Sequence, residues 1–189
     1  MAGADGEEIG CLARPHRKDG ARTGTKIGQA ALFAPGGRCG GTAGPFHAEG
    51  FFKEMKAIAD TGFLVAFGNR RDAHHSWAMD IAQQVDEPLL TCEAVLAETA
   101  FHLGNAGLVL ALVREGLVKP VLCVADQVPR LAELAARYAD RGPDLADLCL
   151  IRLSELYPKH PVITTDLHDF RIYRRGRREV IPLIHPPGL

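Results

Sequence analysis

Five carboxylates in this chain have the types and placements that could do chemistry: Asp60, Glu98, Asp144, Asp147 and Asp166. Asp60 closes the short apolar run "KAIA", and Asp166 closes "PVITT". Glu98 interrupts an apolar stripe of Val95, Leu96, Ala100, Phe101 and Leu103. Asp144 and Asp147 are spaced i,i+3 on one expected helix and so share a face. Asp147 is followed by "LCLIRL" and borders a core-facing surface. Each acid also has a structural role open to it. Asp60 and Asp144 could cap helices, Asp166 could close an Asx turn, and Glu98 could join a salt bridge. Several acids meeting in one crevice repel one another, which raises their pKa values or unfolds the site. A hard divalent cation removes that conflict. Oxygen-only donors without a Cys or His cluster suit Mg2+ or Mn2+ rather than Zn2+. Such a centre serves phosphodiester hydrolysis and needs no Ser–His–Asp or Cys–His nucleophile. No GxGxxG or GxxxxGK[ST] loop is present, so a mononucleotide-binding reading has no support.

The elements that must carry these acids follow from residue 55 onward. Short strands are expected at "KAIAD", "PLLT", "VKPVLCV", "PVITTD" and "EVIPLIH". Helices are expected at "TGFLVAFGN", "AHHSWAMDIAQQV", "CEAVLAETAFHLG" (capped by Thr91 and ended by Gly104), "AGLVLALVREGL", "QVPRLAELAARYAD" and "DLADLCLIRLSELY". "DLHDFRIYRR" reads as a short irregular or helical piece. Strands alternating with helices indicate an α/β fold with a mainly parallel central sheet. In such sheets the functional crevice lies beyond the carboxyl ends of the strands. Asp60 and Asp166 are therefore expected at the same edge.

Composition bounds the remainder. The chain has 189 residues and a formal net charge of −1, so overall charge does not mark a nucleic-acid binder. Its cysteines are scattered, with no CxxC pair, which argues against a zinc site or a disulfide framework and fits a reducing, cytoplasmic setting. No apolar run reaches the roughly 18 residues of a membrane span. Residues 1–54 are dense in Gly, Ala and charge, without apolar periodicity, and are expected to be a largely disordered extension. That extension is either a real flexible segment or the product of a mis-assigned start, with Met55 the natural one. The second is preferred, because the domain pattern begins directly after Met55 and fills residues 55–189.

The blocks "ADTGFLVAFGNRRDAHH", "PLLTCEAVLAETAFHL", "DLADLCLIRLSE" and "VITTDLHDFRIYR" resemble the four acidic blocks of PIN-domain proteins. The nearest group is the VapC-like ribonuclease toxins of type II toxin–antitoxin systems. The resemblance implies a three-layer α/β/α fold, a Mg2+ or Mn2+ site and endonucleolytic cleavage of RNA. By it, Asp60, Glu98, Asp147 and Asp166 match the four family acids as catalytic and metal-binding residues. Asp144 and Asp169 are additional, less certain ligands, and Thr61 and Thr165 stand where small hydroxyl residues support the site. Leu148-Cys149 replaces the small residue expected after Asp147, a change in packing.

Around that centre, "RIYRRGRR" offers Arg171, Arg174 and Arg175 as contacts for RNA phosphates. A solvated hairpin-like connection is the competing use of this run. Trp77 reads as core rather than as a stacking surface for bases. The apolar helices "LVLALVREGL" and "VPRLAELAARYA" exceed what one small core needs, which suggests a homodimer or a seat for a cognate antitoxin protein. The alternative in a different class is a catalytically idle PIN-fold binding module acting through RNA or protein contacts.

Overall fold

The computed structural model describes residues 55–85 and 87–189, so the extension expected at 1–54 lies outside the described residues. The chain alternates strand and helix from the start. In order, it runs β1 (Ile58–Ala59), α1 (Thr61–Gly68), α2 (His75–Gln83), β2 (Leu89–Cys92), α3 (Glu93–Leu103), α4 (Ala106–Arg114), β3 (Val118–Leu122) and α5 (Val124–Arg137). It continues with α6 (Leu145–Leu156), β4 (Val162–Ile163), α7 (Leu167–Phe170), β5 (Arg174–Arg175), β6 (Glu179–Val180) and β7 (Leu183–Ile184). Five strands form one sheet in the order β3-β2-β1-β4-β7, and every pairing is parallel. The helices flank this sheet in the α/β/α arrangement expected from the alternation.

Strand order fixes where a site can form. The chain steps outward from β1 to β2 and β3, then returns to lay β4 on the other side of β1. The direction of winding therefore reverses between β1 and β4, and a crevice opens beyond their carboxyl ends. The register sets Ala59 beside Ile163, so the next residues, Asp60 and Thr164, emerge side by side at that edge.

Burial explains the sequence of the central helix. α6 touches β1, β2, α3, α5 and β5. It buries Ala146, Leu148, Cys149, Leu150, Ile151, Leu153 and Ser154, so it is apolar almost all round rather than along one stripe. Leu148 and Cys149 are thus core residues, and they anchor the helix turn that carries Asp147. From α1, Phe63, Leu64 and Phe67 enter the same core. Trp77 packs edge-on against Phe63 at 5.9 Å, in line with its reading as a core residue.

Several expected boundaries and roles differ. Thr91 does not cap α3. Cys92 holds the N-cap position, and the Thr91 hydroxyl donates to the Ala59 carbonyl at 3.1 Å, tying β2 to β1. The helix expected from Gln127 begins at Val124, so Pro129 lies inside α5, where it removes one backbone donor. The stretch "EVIPLIH" is two strands. Glu179–Val180 pairs antiparallel with β5, while Leu183–Ile184 joins β4 in the main sheet. Pro182 separates them; it has no N–H to give, but its carbonyl accepts from Val162 N at 2.9 Å. The apolar stripe of α3 is only partly core: Val95 belongs to the core and Leu96 packs against it. Only Val95 and Thr99 of that helix are buried, and Phe101 is 81% exposed.

Candidate active site

One cavity of about 470 Å³ opens at the crevice, and Asp60, Glu98, Asp144, Asp147, Asp166 and Asp169 all line it. Asp60 arrives from the end of β1 and Asp166 from the loop after β4. α3 presents Glu98, and the start of α6 presents Asp144 and Asp147. Four separate stretches of chain thus converge on one cavity.

Hydrogen bonds aim each carboxylate. Asp60 is the N-cap of α1 and accepts from Thr61 N–H at 2.6 Å through one oxygen. Its other oxygen accepts from the Thr164 hydroxyl, also at 2.6 Å. The Thr61 hydroxyl donates to Glu98 at 2.7 Å, and the second oxygen of Glu98 lies 3.6 Å from His102 Nε2. Asp147 accepts from the buried Tyr173 hydroxyl at 3.2 Å. Asp144 is not on the helix beside Asp147 but is its N-cap, accepting from Asp147 N–H at 2.8 Å. Asp166 caps α7 in the same way, accepting from Asp169 N–H at 3.2 Å.

The supporting hydroxyl at the β4 end is Thr164 and not Thr165. Thr164 is fully buried, donates to Asp60 and accepts from Asp166 N–H at 2.8 Å, so it links the acids of two neighbouring strands. Thr165 instead lies over Gly62. A Cβ at position 62 would stand 2.2 Å from the Thr165 hydroxyl oxygen, so glycine lets Thr165 pack directly on α1 and any larger residue would make its side chain turn away. Thr61 keeps its expected supporting place through Glu98.

Burial and mutual repulsion leave a proton preference at the centre. Burial pushes the Asp60 carboxyl up to about 6 from 3.8; bonds from Thr164 and Thr61 oppose the rise, and the charges of Glu98 and Asp166 add to it. Asp147 is pushed up to about 7, by burial first and then by the charges of Asp144 and Asp60. Tyr173 is raised too, by burial and by the adjoining Asp147 charge, so its hydroxyl stays a donor.

This set fits a hard divalent cation. Its donors are carboxylate and hydroxyl oxygens, and the raised proton affinity of Asp60 and Asp147, set first by burial and increased by the neighbouring acids, marks buried carboxylates whose charged form a cation would stabilise. Among the described residues, no three acidic, His or Cys side chains stand close enough together to form a finished ion cage. Asp60, Glu98, Asp144, Asp147 and Asp166 each have at least one oxygen engaged in the bonds above.

The arginines divide differently from the expectation. Arg175 is buried, and its guanidinium is held by the Pro158 carbonyl and Glu179, so it is a structural residue. Arg174 turns Nη1 back onto the carbonyls of Arg171 and Tyr173, at 2.6 and 2.8 Å. Arg171 is exposed, and directly follows Phe170 on the cavity wall. The run forms a hairpin, β5–β6, with Gly176 at φ 55 in its turn. Glu155 secures this hairpin, accepting from Arg130, from Arg152 and from Gly176 N–H at 3.0 Å.

The sequence profile described as PIN domain matches residues 57–175, a span that holds every acid of the cavity. No curated protein matches the chain.

Proposed function

Because the chain belongs to the PIN-domain family, whose members are in general metal-dependent nucleases, we propose that it is a Mg2+- or Mn2+-dependent endoribonuclease. We further propose that it is the toxin of a toxin–antitoxin pair, acting in the cytoplasm through residues 55–189. The observation that carries the nuclease reading is the meeting of six acids from four chain segments in one cavity at the β1/β4 switch point. An acid cluster with no cation partner is a cost to folding, and a hydrolytic metal centre gives that cost a purpose.

Asp60, Glu98, Asp147 and Asp166 are the proposed catalytic and metal-holding set, with Asp144 and Asp169 at its margin. A bound divalent cation supplies Lewis-acid stabilisation of the phosphoryl charge. The chain's own residues supply orientation. Thr164 fixes the rotamer of Asp60, Thr61 that of Glu98, and Tyr173 that of Asp147. Arg171 is the arginine of the expected trio that is free to meet an RNA phosphate near the cavity.

For the proposed homodimer and antitoxin contacts, the exposed apolar side chains Leu110 of α4 and Val128 of α5 are the support. Among the described residues, no helix is long and apolar enough to cross a membrane.

The test has two parts. Purified protein is incubated with an RNA pool in Mg2+, with and without EDTA, and the product ends are sequenced. Discrete new ends that vanish with EDTA and with Asp147→Asn support the reading; RNA left intact in Mg2+ and in Mn2+ favours the binding-module alternative. Growth is then followed after induction without antitoxin. Arrest by the wild type, none by Asp147→Asn and a partial effect for Asp144→Asn are expected. Equal arrest by the wild type and Asp147→Asn would remove the metal site from the cause of toxicity.

A further inference from the structure

Phe101 is the most exposed large apolar side chain among the described residues, at 81%. α3 buries Val95 and Thr99 and so turns Phe101 away from the core. Glu98 and His102 of the same helix both line the acid cavity, and Phe101 lies between them in sequence. The Phe101 and His102 rings meet edge to face, with centroids 5.5 Å apart and planes at 73°. Three residues of helix separate Phe101 from Glu98, an axial rise of about 4.5 Å. At that spacing Phe101 stands just outside the cavity wall formed by Glu98 and His102, where it would meet the base of a nucleotide whose phosphate reaches the carboxylates. An aromatic face open to solvent beside a phosphate-processing centre is the feature that captures unstacked bases of single-stranded RNA.

We propose that Phe101, braced by the His102 ring, is a stacking platform for one unpaired base next to the phosphodiester bond to be cut. The inference rests on the endoribonuclease reading and adds to it a contact with the base at one particular position flanking the scissile phosphate. Duplex RNA, whose bases stay stacked, would not engage the ring. Stacking is tolerant of base identity, so the platform sets where the chain is cut relative to a single-stranded stretch more than which base is chosen.

The experiment uses the full chain and a single-stranded RNA oligonucleotide containing a mapped cut. Variants of the RNA carry one abasic residue at each position flanking that cut. Wild type, Phe101→Ala and Phe101→Trp are compared by KM and kcat, and by binding anisotropy with Ca2+ in place of Mg2+. Phe101→Ala is expected to raise KM and Kd by roughly 5- to 150-fold with kcat little changed, and Phe101→Trp to restore both. An abasic residue at the stacked position should weaken wild type to the level of Phe101→Ala and have no further effect on that variant. Unchanged KM in Phe101→Ala, on RNA that wild type cleaves, overturns the platform and leaves the nuclease reading standing. So do abasic and Phe101→Ala effects that simply multiply. A change in molecular mass by light scattering with unaltered cleavage would assign the ring to a protein contact and overturn it equally. Wild type that neither binds nor cleaves RNA ends the nuclease reading and the platform with it.

Discussion

Replacing Asp60 with Asn should stabilise the metal-free protein above neutral pH and do the opposite in acid. The carboxyl is only 7% exposed and is held at about 6 against 3.8 for a free side chain. The folded protein therefore keeps a proton, between those values, that the unfolded chain has released. The resulting stabilisation is fully present below 3.8 and is lost as pH rises through about 6. Carrying the charge while buried costs the folded state about 3 kcal/mol at higher pH. The introduced amide keeps the acceptor for Thr61 N–H. It replaces the oxygen that meets Thr164 with a donor, and Thr164 must then reorganise, at about 1 kcal/mol. The net gain is about 2 kcal/mol at about pH 8, a rise in Tm of roughly 5–10 °C for a domain of this size. Thermal melts in EDTA from about pH 4.5 to about pH 8.5 would show the two stability curves crossing. Saturating Mg2+ should raise the wild-type Tm and leave Asp60→Asn nearly unmoved. If the variant is less stable than wild type in EDTA at every pH, the cavity does not impose the charge cost inferred for it.

Three further outcomes are expected. Thr164→Val removes the hydroxyl shared by Asp60 and Asp166 N–H and should lower stability by about 2 kcal/mol and weaken Mg2+ binding; Thr165→Val should do neither, as melts and calorimetry would reveal. Arg175→Ala removes the donor to the Pro158 carbonyl and the packing of a buried side chain and should depress Tm by several degrees without changing RNA affinity per folded molecule, whereas Arg171→Ala should leave Tm alone and weaken RNA binding, read by anisotropy in parallel with the melts. Deletion of residues 1–54 should leave Tm and cleavage unchanged, checked by calorimetry and by the RNA-end assay.

The acids are readable because carboxylates at strand ends and helix starts stand out against apolar runs, and a parallel sheet has only one edge where strand ends collect. The choice between Thr164 and Thr165 is not readable. Successive residues after a strand face opposite ways, and a strand of two residues shows no alternation from which to take the phase. Only the pairing of Ala59 with Ile163 decides it. The arginine run misleads for a related reason. "YRR" has its first and third residues turned inward and only the middle one partly out, so a block of like charge conceals a buried arginine paired with the exposed Glu179. Glu179, just across the Gly176 turn, is the available signal. Phe101 reads as part of an apolar stripe whose cover stays open, because helical periodicity reports which residues share a face, not whether anything covers that face. Tyr173 leaves no trace in spacing at all; its bond to Asp147 joins residues 26 apart that meet only through the fold.

The bond between Thr164 and Asp60 spans 104 residues of chain. The Thr61 N–H holds one oxygen of the first acid locally, but the bond that directs the other depends on a strand made long after it. Helices α1 to α5 can form as they emerge from the ribosome, but β4 must be threaded beside β1 before the cavity has walls, and such long-range pairing comes late in folding. A nascent chain that has not yet exposed Thr164 carries Asp60, Glu98 and Asp147 without the arrangement that makes them a site. The order of synthesis thus keeps the centre unassembled while the molecule is still attached to the machinery and the message that produce it.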